Sequence, residues 1–505
     1  MSRGYLIVFS GLAAAIGLAG CSSVPYSPRP LDPEATESAF LARSADVDGL
    51  KRFAAANGYA PDAWPPPQWG LKELTLLALY FHADIRTARA RAEVARAEFG
   101  SAVQPQSWSE RLSPGYHSRP LPDSSAPWTL GLELEIPLVA QGKRAARAER
   151  GAFLADAAEL DVANAAWMVR SRVRDRYQEM QASQGALALL DAQLLARRDM
   201  LDLVNRRVDA GMLSARDLGI ERVAHSQVEL LRSQELARQQ RAKAELAAAL
   251  GLSLEVVDRM NLRVDADASP RTEFDTGALR RMALRNRLDV HRKLLEFGAA
   301  DAEVKAAVAA QNPDVTLGPG YTWDQGDNVW SLAVSLSLPR AAQMQASIRE
   351  AQARRELAAE QFAATQLDAI SAAERAGAQY RLALDRVAGS EHQLQIQREQ
   401  ESRINRQFET GAADRMQRVA ARLDTLASET MLQAALVDAR QAVAHLEDAL
   451  QRPLLGDFET LPGVKVTHSA EVINNAGITK GARITKDSKV TKDAGLTGDA
   501  GATKP

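Results

Sequence analysis

Cysteine is nearly missing from this chain: Cys21 is the single one in 505 residues, so there is no intrachain disulfide framework and no cysteine-built zinc site. The seven histidines, His82, His117, His225, His291, His392, His445 and His468, are scattered, and no two stand at metal-ligand or catalytic spacing. An excess of either charge is lacking too. With 62 Lys and Arg against 64 Asp and Glu, the formal net charge is -2, and no basic surface for nucleic acid is implied. These absences argue against an enzyme, a resident metal and a bound cofactor.

Proline is absent where a long helix would not tolerate it. None occurs from Val139 to Arg259 or from Arg340 to Arg452, and both stretches are rich in Ala, Leu, Glu, Gln and Arg, the strong helix formers. Leu187, Leu190, Leu194, Leu201, Val204 and Val208 fall at heptad spacing, as do Met416, Val419, Leu423 and Leu426. A helix from Gln141 to Val208 spans about 100 Å at 1.5 Å per residue.

The amino terminus has the plan of an export signal. Arg3 precedes the apolar run Tyr5 to Ala15, too short and wrongly flanked to span a membrane, and small residues lead into Leu18-Ala19-Gly20-Cys21. That ending resembles the bacterial lipobox, whose cysteine is lipidated and becomes the first residue of the mature chain. Residues 1–20 are therefore expected to be a signal peptide, and Cys21 the anchor of a covalent lipid. Residues 21–68, with Pro25, Pro28, Pro30, Pro33 and Pro65-Pro66-Pro67, read as an extended linker, and the ordered body is expected to begin near Trp69.

From Trp69 the sequence can be read twice. Leu74, Ala78 and Leu79 match Leu279, Ala283 and Leu284; WTLGLELEIPL from Trp128 matches VWSLAVSLSLP from Val329; and RRVDAGMLSARDL is answered by RQFETGAADRMQR, with Gly411 following Gly211 by 200 residues. Residues 69–270 and 271–455 are thus two copies of one unit: a helix, two strands, then two long helices joined at a glycine. At Gly211 and Gly411 the chain is expected to reverse, with Ser214 and Asp414 capping the returning helices. The alternative is a continuous helix kinked at the glycine.

The strands alternate. Trp128, Leu130, Leu132, Leu134 and Ile136 share one face, and Thr129, Gly131, Glu133 and Glu135 share the other. Leu317, Pro319 and Tyr321 oppose Thr316, Gly318, Gly320 and Thr322, while Trp330, Leu332, Val334, Leu336 and Leu338 oppose Ser331, Ala333, Ser335 and Ser337. Strands of this length, with an oily side, a wet side and aromatic ends, suit a membrane barrel around water; the alternative is a soluble, half-buried sheet. Four strands do not close a barrel, and open edges are forbidden in lipid, so several copies are expected to share one.

The duplicated plan of strand hairpin and helix hairpin, with its two glycine turns, resembles the TolC family of outer-membrane efflux proteins from Trp69 to Pro453. The resemblance implies a mainly α fold with a transmembrane β part: a homotrimer whose 12-stranded β-barrel, four strands per chain, continues into a long α-helical periplasmic barrel. It further implies an outer-membrane conduit served by a periplasmic adaptor and an inner-membrane pump of the RND type. Within the family, IPLVAQGKRAARAE (from Ile136) and LGPGYTWDQGDNVWSLAVSLSLP (from Leu317) are most similar to the outer-membrane components of cobalt-zinc-cadmium type heavy-metal efflux systems. By the same resemblance the adaptor docks on Val208, Gly211, Met212, Leu213, Ser214 and Asp217 of the first tip and on Phe408, Gly411, Ala412 and Asp414 of the second.

Two departures from the family pattern stand out. Gln417 and Ala420 occupy positions where some members carry acidic residues that constrict the entrance, and Pro339-Arg340 lacks the glycine that Gly142 supplies in the first half. If they face the lumen, Glu133 and Glu135 would form acidic rings favouring cations. Residues 456–505 lose the helical pattern, carry a weak six-residue beat and are expected to be a disordered tail. Two other functions fit the same sequence: a duct for drugs or secreted polypeptides, and a lipid-anchored periplasmic scaffold without a pore.

Overall fold

The computed structural model describes residues 25–60, 63–120, 122, 126–138, 142–263, 274–338 and 340–454. The signal peptide, Cys21, Pro339 and the tail of residues 456–505 lie outside the described residues. The chain divides into two compact units, Met1–Ser44 and Ala45–Pro505. In the first, helix α1 (Pro33–Leu41) starts at Asp32, whose carboxylate accepts the backbone N–H groups of Glu34 and Ala35 at 3.0 and 3.1 Å.

The second unit begins with α2 (Asp48–Ala56), α3 (Leu71–Phe81) and α4 (Ala83–Ala102), followed by β1 (Ser109–Tyr116), β2 (Trp128–Leu138), α5 (Lys143–Asp209), α6 (Ala215–Leu250) and the short α7 (Leu254–Asp258). The plan then repeats as α8 (Thr276–Asn286), α9 (Leu288–Ala309), β3 (Asp314–Asp324), β4 (Asp327–Ser337), α10 (Ala341–Glu409) and α11 (Arg415–Leu450). The duplication read from the sequence is therefore a duplication of architecture.

The ordered body starts earlier than the prolines suggested. Leu50 and Ala54 of α2 are fully buried in the first hydrophobic core with Trp64, whose indole N–H donates to the Ala45 carbonyl at 2.9 Å and whose ring meets Trp69 edge-on. Leu50, Phe53 and Ala54 form a helical stripe that covers α3, and this spacing outweighs the proline content of the surrounding residues. An extended linker over all of residues 21–68 is corrected accordingly.

Helices α5 and α10 run for 67 and 69 residues, about 100 Å each at 1.5 Å per residue. Helix α6 packs back along α5, and α11 along α10, so the chain reverses at both glycines and the kinked-helix alternative falls. On the strand side α4 and α9 flank α5, while α9 also touches α10; on the tip side α11 lies between α5 and α10. The result is one layer of helical columns with α4 and α6 along one border and α10 along the other. Its second core is built largely of alanines, among them Ala373, Ala376, Ala383 and Ala439, whose small side chains let the helix axes approach.

The strands form one antiparallel sheet in the order β1-β2-β3-β4, and the β2–β3 ladder joins the two repeats. Its register aligns Leu112, Leu132, Tyr321 and Trp330 on one rung and Arg111, Glu133, Gly320 and Ser331 on the next. The β3–β4 connection is a two-residue turn with Gln325 and Gly326 at φ 49° and 109°, the geometry that matches strand twist.

The apolar face is open to solvent. Leu112, Trp128, Leu130, Leu132, Leu332, Val334, Leu336 and Leu338 are exposed, and Trp330 reaches 77%. A soluble sheet buries this face against its own core; here no described element lies on it. No described helix is long and apolar enough to cross a membrane.

Candidate functional site

On the opposite face of the sheet the register brings Arg111 across from Glu133 and Ser109 across from Glu135. The Arg111 guanidinium donates to Glu135 Oε1 at 2.7 Å and to Glu133 Oε2 at 3.4 Å, and the Ser109 hydroxyl donates to Glu135 Oε2 at 2.9 Å. Glu133 lies across β3: a Cβ on Gly318 would stand 3.0 Å from its Oε1, so the missing side chain makes room for the carboxylate. At the hairpin end, Thr129 Oγ1 donates to Asp324 at 2.6 Å and His117 Nε2 lies 3.1 Å from the same carboxylate. At the helix end, Lys143 of the Gly-Lys-Arg run pairs with Asp314 at 2.9 Å and pins the start of α5 to β3.

Glu133 and Glu135 share a face, as alternation requires. Arg111 was not found from sequence, because Ser109–Tyr116 is short, begins with polar residues and lacks a run of branched side chains. The usable signal was the alternation of Leu112, Pro114 and Tyr116 with Arg111, Ser113 and Gly115. Tyr116 meets Trp128 edge-on, and Tyr321 meets Trp330 at a tilt, near the hairpin ends of the strands.

The two helix turns form the second candidate surface. Gly211 and Gly411 have φ 73° and 77°, and the N–H groups of Met212 and Ala412 return to the carbonyls of Arg207 and Gln407, each at 2.8 Å. Both returning helices start with a reciprocal capping box. The Ser214 N–H donates to Asp217 Oδ2 at 3.0 Å while the Asp217 N–H donates to Ser214 Oγ at 3.3 Å; Asp414 and Gln417 make the equivalent pair at 2.8 Å each way. Gln417 thus closes the cap of α11.

The tips are also joined to each other. Arg207 donates to Asp414 at 2.9 Å, and Val208 and Leu213 pack with Met200, Val204, Met416 and Val419 in a small cluster drawn from both hairpins. The Arg418 guanidinium lies 4.2 Å from the centre of the Phe408 ring. Of the residues assigned to docking, Gly211, Met212, Ser214, Gly411 and Ala412 are exposed, whereas Val208, Leu213, Asp217, Phe408 and Asp414 are half-buried and engaged within the chain. The Ser214 hydroxyl and N–H hold the Asp217 carboxyl below the usual carboxylate range, and the Gln417 N–H, then Arg207, do the same for Asp414.

One site had no precursor in the sequence reading. Arg170 and Arg174 of α5, both nearly inaccessible, meet Glu447 at 3.1 and 3.0 Å, and Arg174 also meets Asp448 of α11 at 2.7 Å. Burial alone would lower the Arg174 pKa, but the Asp448, Asp175 and Glu447 carboxylates together more than offset this and raise it. Among the described residues, no group of three or more His, Cys, Asp or Glu is placed to hold a metal ion.

The chain matches the outer membrane efflux protein family over residues 79–252 and 279–452, one match in each repeat. Among solved structures it is similar to the outer membrane protein VceC of Vibrio cholerae, at 20% identity and a TM-score of 0.62, over 75% of this chain and 95% of that one. The CmeC outer membrane channel of Campylobacter jejuni is 15% identical with a TM-score of 0.63, over 90% of this chain and 97% of that one. CusC, described by its transmembrane channel formation, is 17% identical with a TM-score of 0.63, over 85% of this chain and 99% of that one. Among curated proteins none matches.

Proposed function

The chain belongs to the outer membrane efflux protein family, and from that premise we propose that three copies close their sheets into a 12-stranded barrel, forming the outer-membrane duct of a tripartite heavy-metal cation efflux system. The family membership makes it a channel protein of the outer membrane rather than an enzyme. The observation that carries the trimer is the open sheet: four strands leave β1 and β4 as borders, with an exposed apolar face and a polar one. Unpaired backbone is not tolerated in hydrocarbon, so β4 of one copy must pair with β1 of the next. The same operation places α10 of one copy beside α4 and α6 of its neighbour, and the helical layer becomes a tube.

Cargo handed over by an inner-membrane RND pump and its periplasmic adaptor would pass through this tube by diffusion. The adaptor rests on the exposed tip residues Gly211, Met212, Ser214, Gly411 and Ala412, while Val208, Leu213, Asp217, Phe408 and Asp414 hold the tips in shape. Cys21 carries a covalent lipid that adds an anchor to a barrel already seated in the membrane. The metal reading is supported by the Gly142–Arg147 run, similar to that of heavy-metal systems, and by the two glutamates on the polar face.

The test has two arms. The mature chain and its Cys21→Ala variant are both expected in the outer membrane as detergent-requiring trimers; a soluble monomer would overturn the channel. A deletion strain should lose tolerance to at least one of zinc, cobalt, cadmium, copper and silver, and survival unchanged across that panel would overturn the metal assignment while leaving the channel in place.

A further inference from the structure

The polar face of the sheet has one charged belt across its middle. Between Asp314 with Lys143 at the helix end and His117, Asp324 and Asp327 at the hairpin end, the described residues on this face are uncharged apart from Arg111, Glu133 and Glu135. Neighbouring positions are small: Ser113, Gly131, Gly318, Gly320, Ser331 and Ala333 put nothing tall beside the belt. An ion crossing the middle of this face therefore passes these three charges.

The geometry within the belt is unequal. Glu133 is folded down over Gly318 and Glu135 is held by both Ser109 and Arg111, leaving their side chains 34% and 35% exposed, whereas the Arg111 side chain is 61% exposed. The positive group, carried on the border strand β1, is the most exposed of the three, although the negative groups outnumber it. Two opposed consequences follow from elementary electrostatics: paired carboxylates attract cations, and a guanidinium beside them both neutralises half of that attraction and repels cations.

We propose that Arg111 is the charge-selectivity residue of this channel, restraining the cation preference that Glu133 and Glu135 would otherwise impose. The proposal rests on the reading of the chain as a trimeric barrel, in which the belt becomes a ring of three guanidiniums and six carboxylates. It differs from an acidic ring in predicting that the strongest effect on selectivity comes from removing a positive charge, not a negative one.

The experiment is the reversal potential of purified full-length trimers in a planar lipid bilayer under a KCl gradient. Arg111→Gln should raise the cation-to-anion permeability ratio several-fold, Arg111→Lys should stay near wild type, and Glu135→Gln, which frees the guanidinium from its nearer partner, should shift the ratio toward anions. The differences should shrink as salt rises toward 1 M, where the Debye length is about 3 Å. Open Arg111→Gln channels with the wild-type ratio would overturn the assignment alone, as would a Glu135→Gln variant unmoved from wild type. A wild-type protein that forms no conducting pore would overturn this proposal together with the channel reading beneath it.

Discussion

The two repeats share a backbone but finish differently, and the finish shows what the duplication has been used for. Helix α6 ends in Leu246-Ala247-Ala248-Ala249-Leu250 and stops at Gly251 with φ 70°; α11 ends in Leu446-Glu447-Asp448-Ala449-Leu450 and stops at Gln451 with φ 45°. In the first repeat Leu246, Ala247 and Leu250 settle into a core made with α3, inside their own half. In the second, the acidic pair reaches across to Arg170 and Arg174 of the first repeat, and the Gln451 side chain bonds the Leu288 N–H at 2.6 Å and Asn164 at 2.9 Å. One helix end closes its own half; its copy fastens the halves together.

Breaking that fastening should give the largest effect. Glu447→Ala would take the carboxylate from Arg170 and leave Arg174 with Asp448 and Asp175, in a place where Arg170 and Glu447 are each about as inaccessible as any leucine of the core, at 2% and 1% exposure. Removing one partner of such a buried group costs about 3–5 kcal/mol, because the remaining charges keep their desolvation penalty. A triple change of Arg170→Met, Arg174→Leu and Glu447→Leu should recover most of the loss, since burying apolar groups of similar volume carries no such penalty. Denaturant titration of the three proteins checks this, and a Glu447→Ala cost under about 1 kcal/mol would show that water reaches the cluster.

The middle effect tests where the repeats are alike. Gly211 and Gly411 both have left-handed backbone, and a Cβ on either would meet nothing within 4 Å. Alanine at each should therefore cost the backbone strain alone, about 1–2 kcal/mol, and nearly the same amount in both. Equal shifts in denaturation midpoint would confirm that the turns are interchangeable; a clearly larger cost at one would mean that its hairpin is held by a contact the other lacks.

Local rules carried the sequence a long way for this molecule and then stopped at a definite place. Proline-free stretches, the repeated glycine and strand alternation each depend on residues close together in the chain, and they located α5, α6, α10, α11 and the faces of β2, β3 and β4. What stayed hidden depended on residues far apart: Arg111 beside Glu135, and Arg170 beside Glu447, are separated by 24 and 277 positions. Leu50 and Ala54 were hidden for another reason, since prolines on either side masked a stripe only nine residues long. The first-half passage from strand to helix was legible as different, and Gly142 at φ 100° against Arg340 at φ -70° bears out the missing glycine.

The smallest effect concerns a contact that makes the tips unlike. Ser214 and Asp414 occupy the same capping position, but Asp414 also takes the Arg207 guanidinium of the other hairpin. Asp414→Asn keeps an acceptor for the Gln417 N–H, so it should remove the ion pair while sparing most of the cap. Because that pair is open to solvent on one side, a double-mutant cycle of Asp414→Asn with Arg207→Gln should give a coupling of about 0.2–1 kcal/mol at neutral pH. Its pH dependence follows from the depressed Asp414 carboxyl: the coupling is fully present above the carboxyl's unfolded value near 3.9 and is lost as pH falls through the lower folded value. A coupling that stayed unchanged on acidification to the point where Asp414 is protonated could not come from this carboxylate, and the link between the tips would then lie in the apolar cluster of Met200, Val204 and Val419.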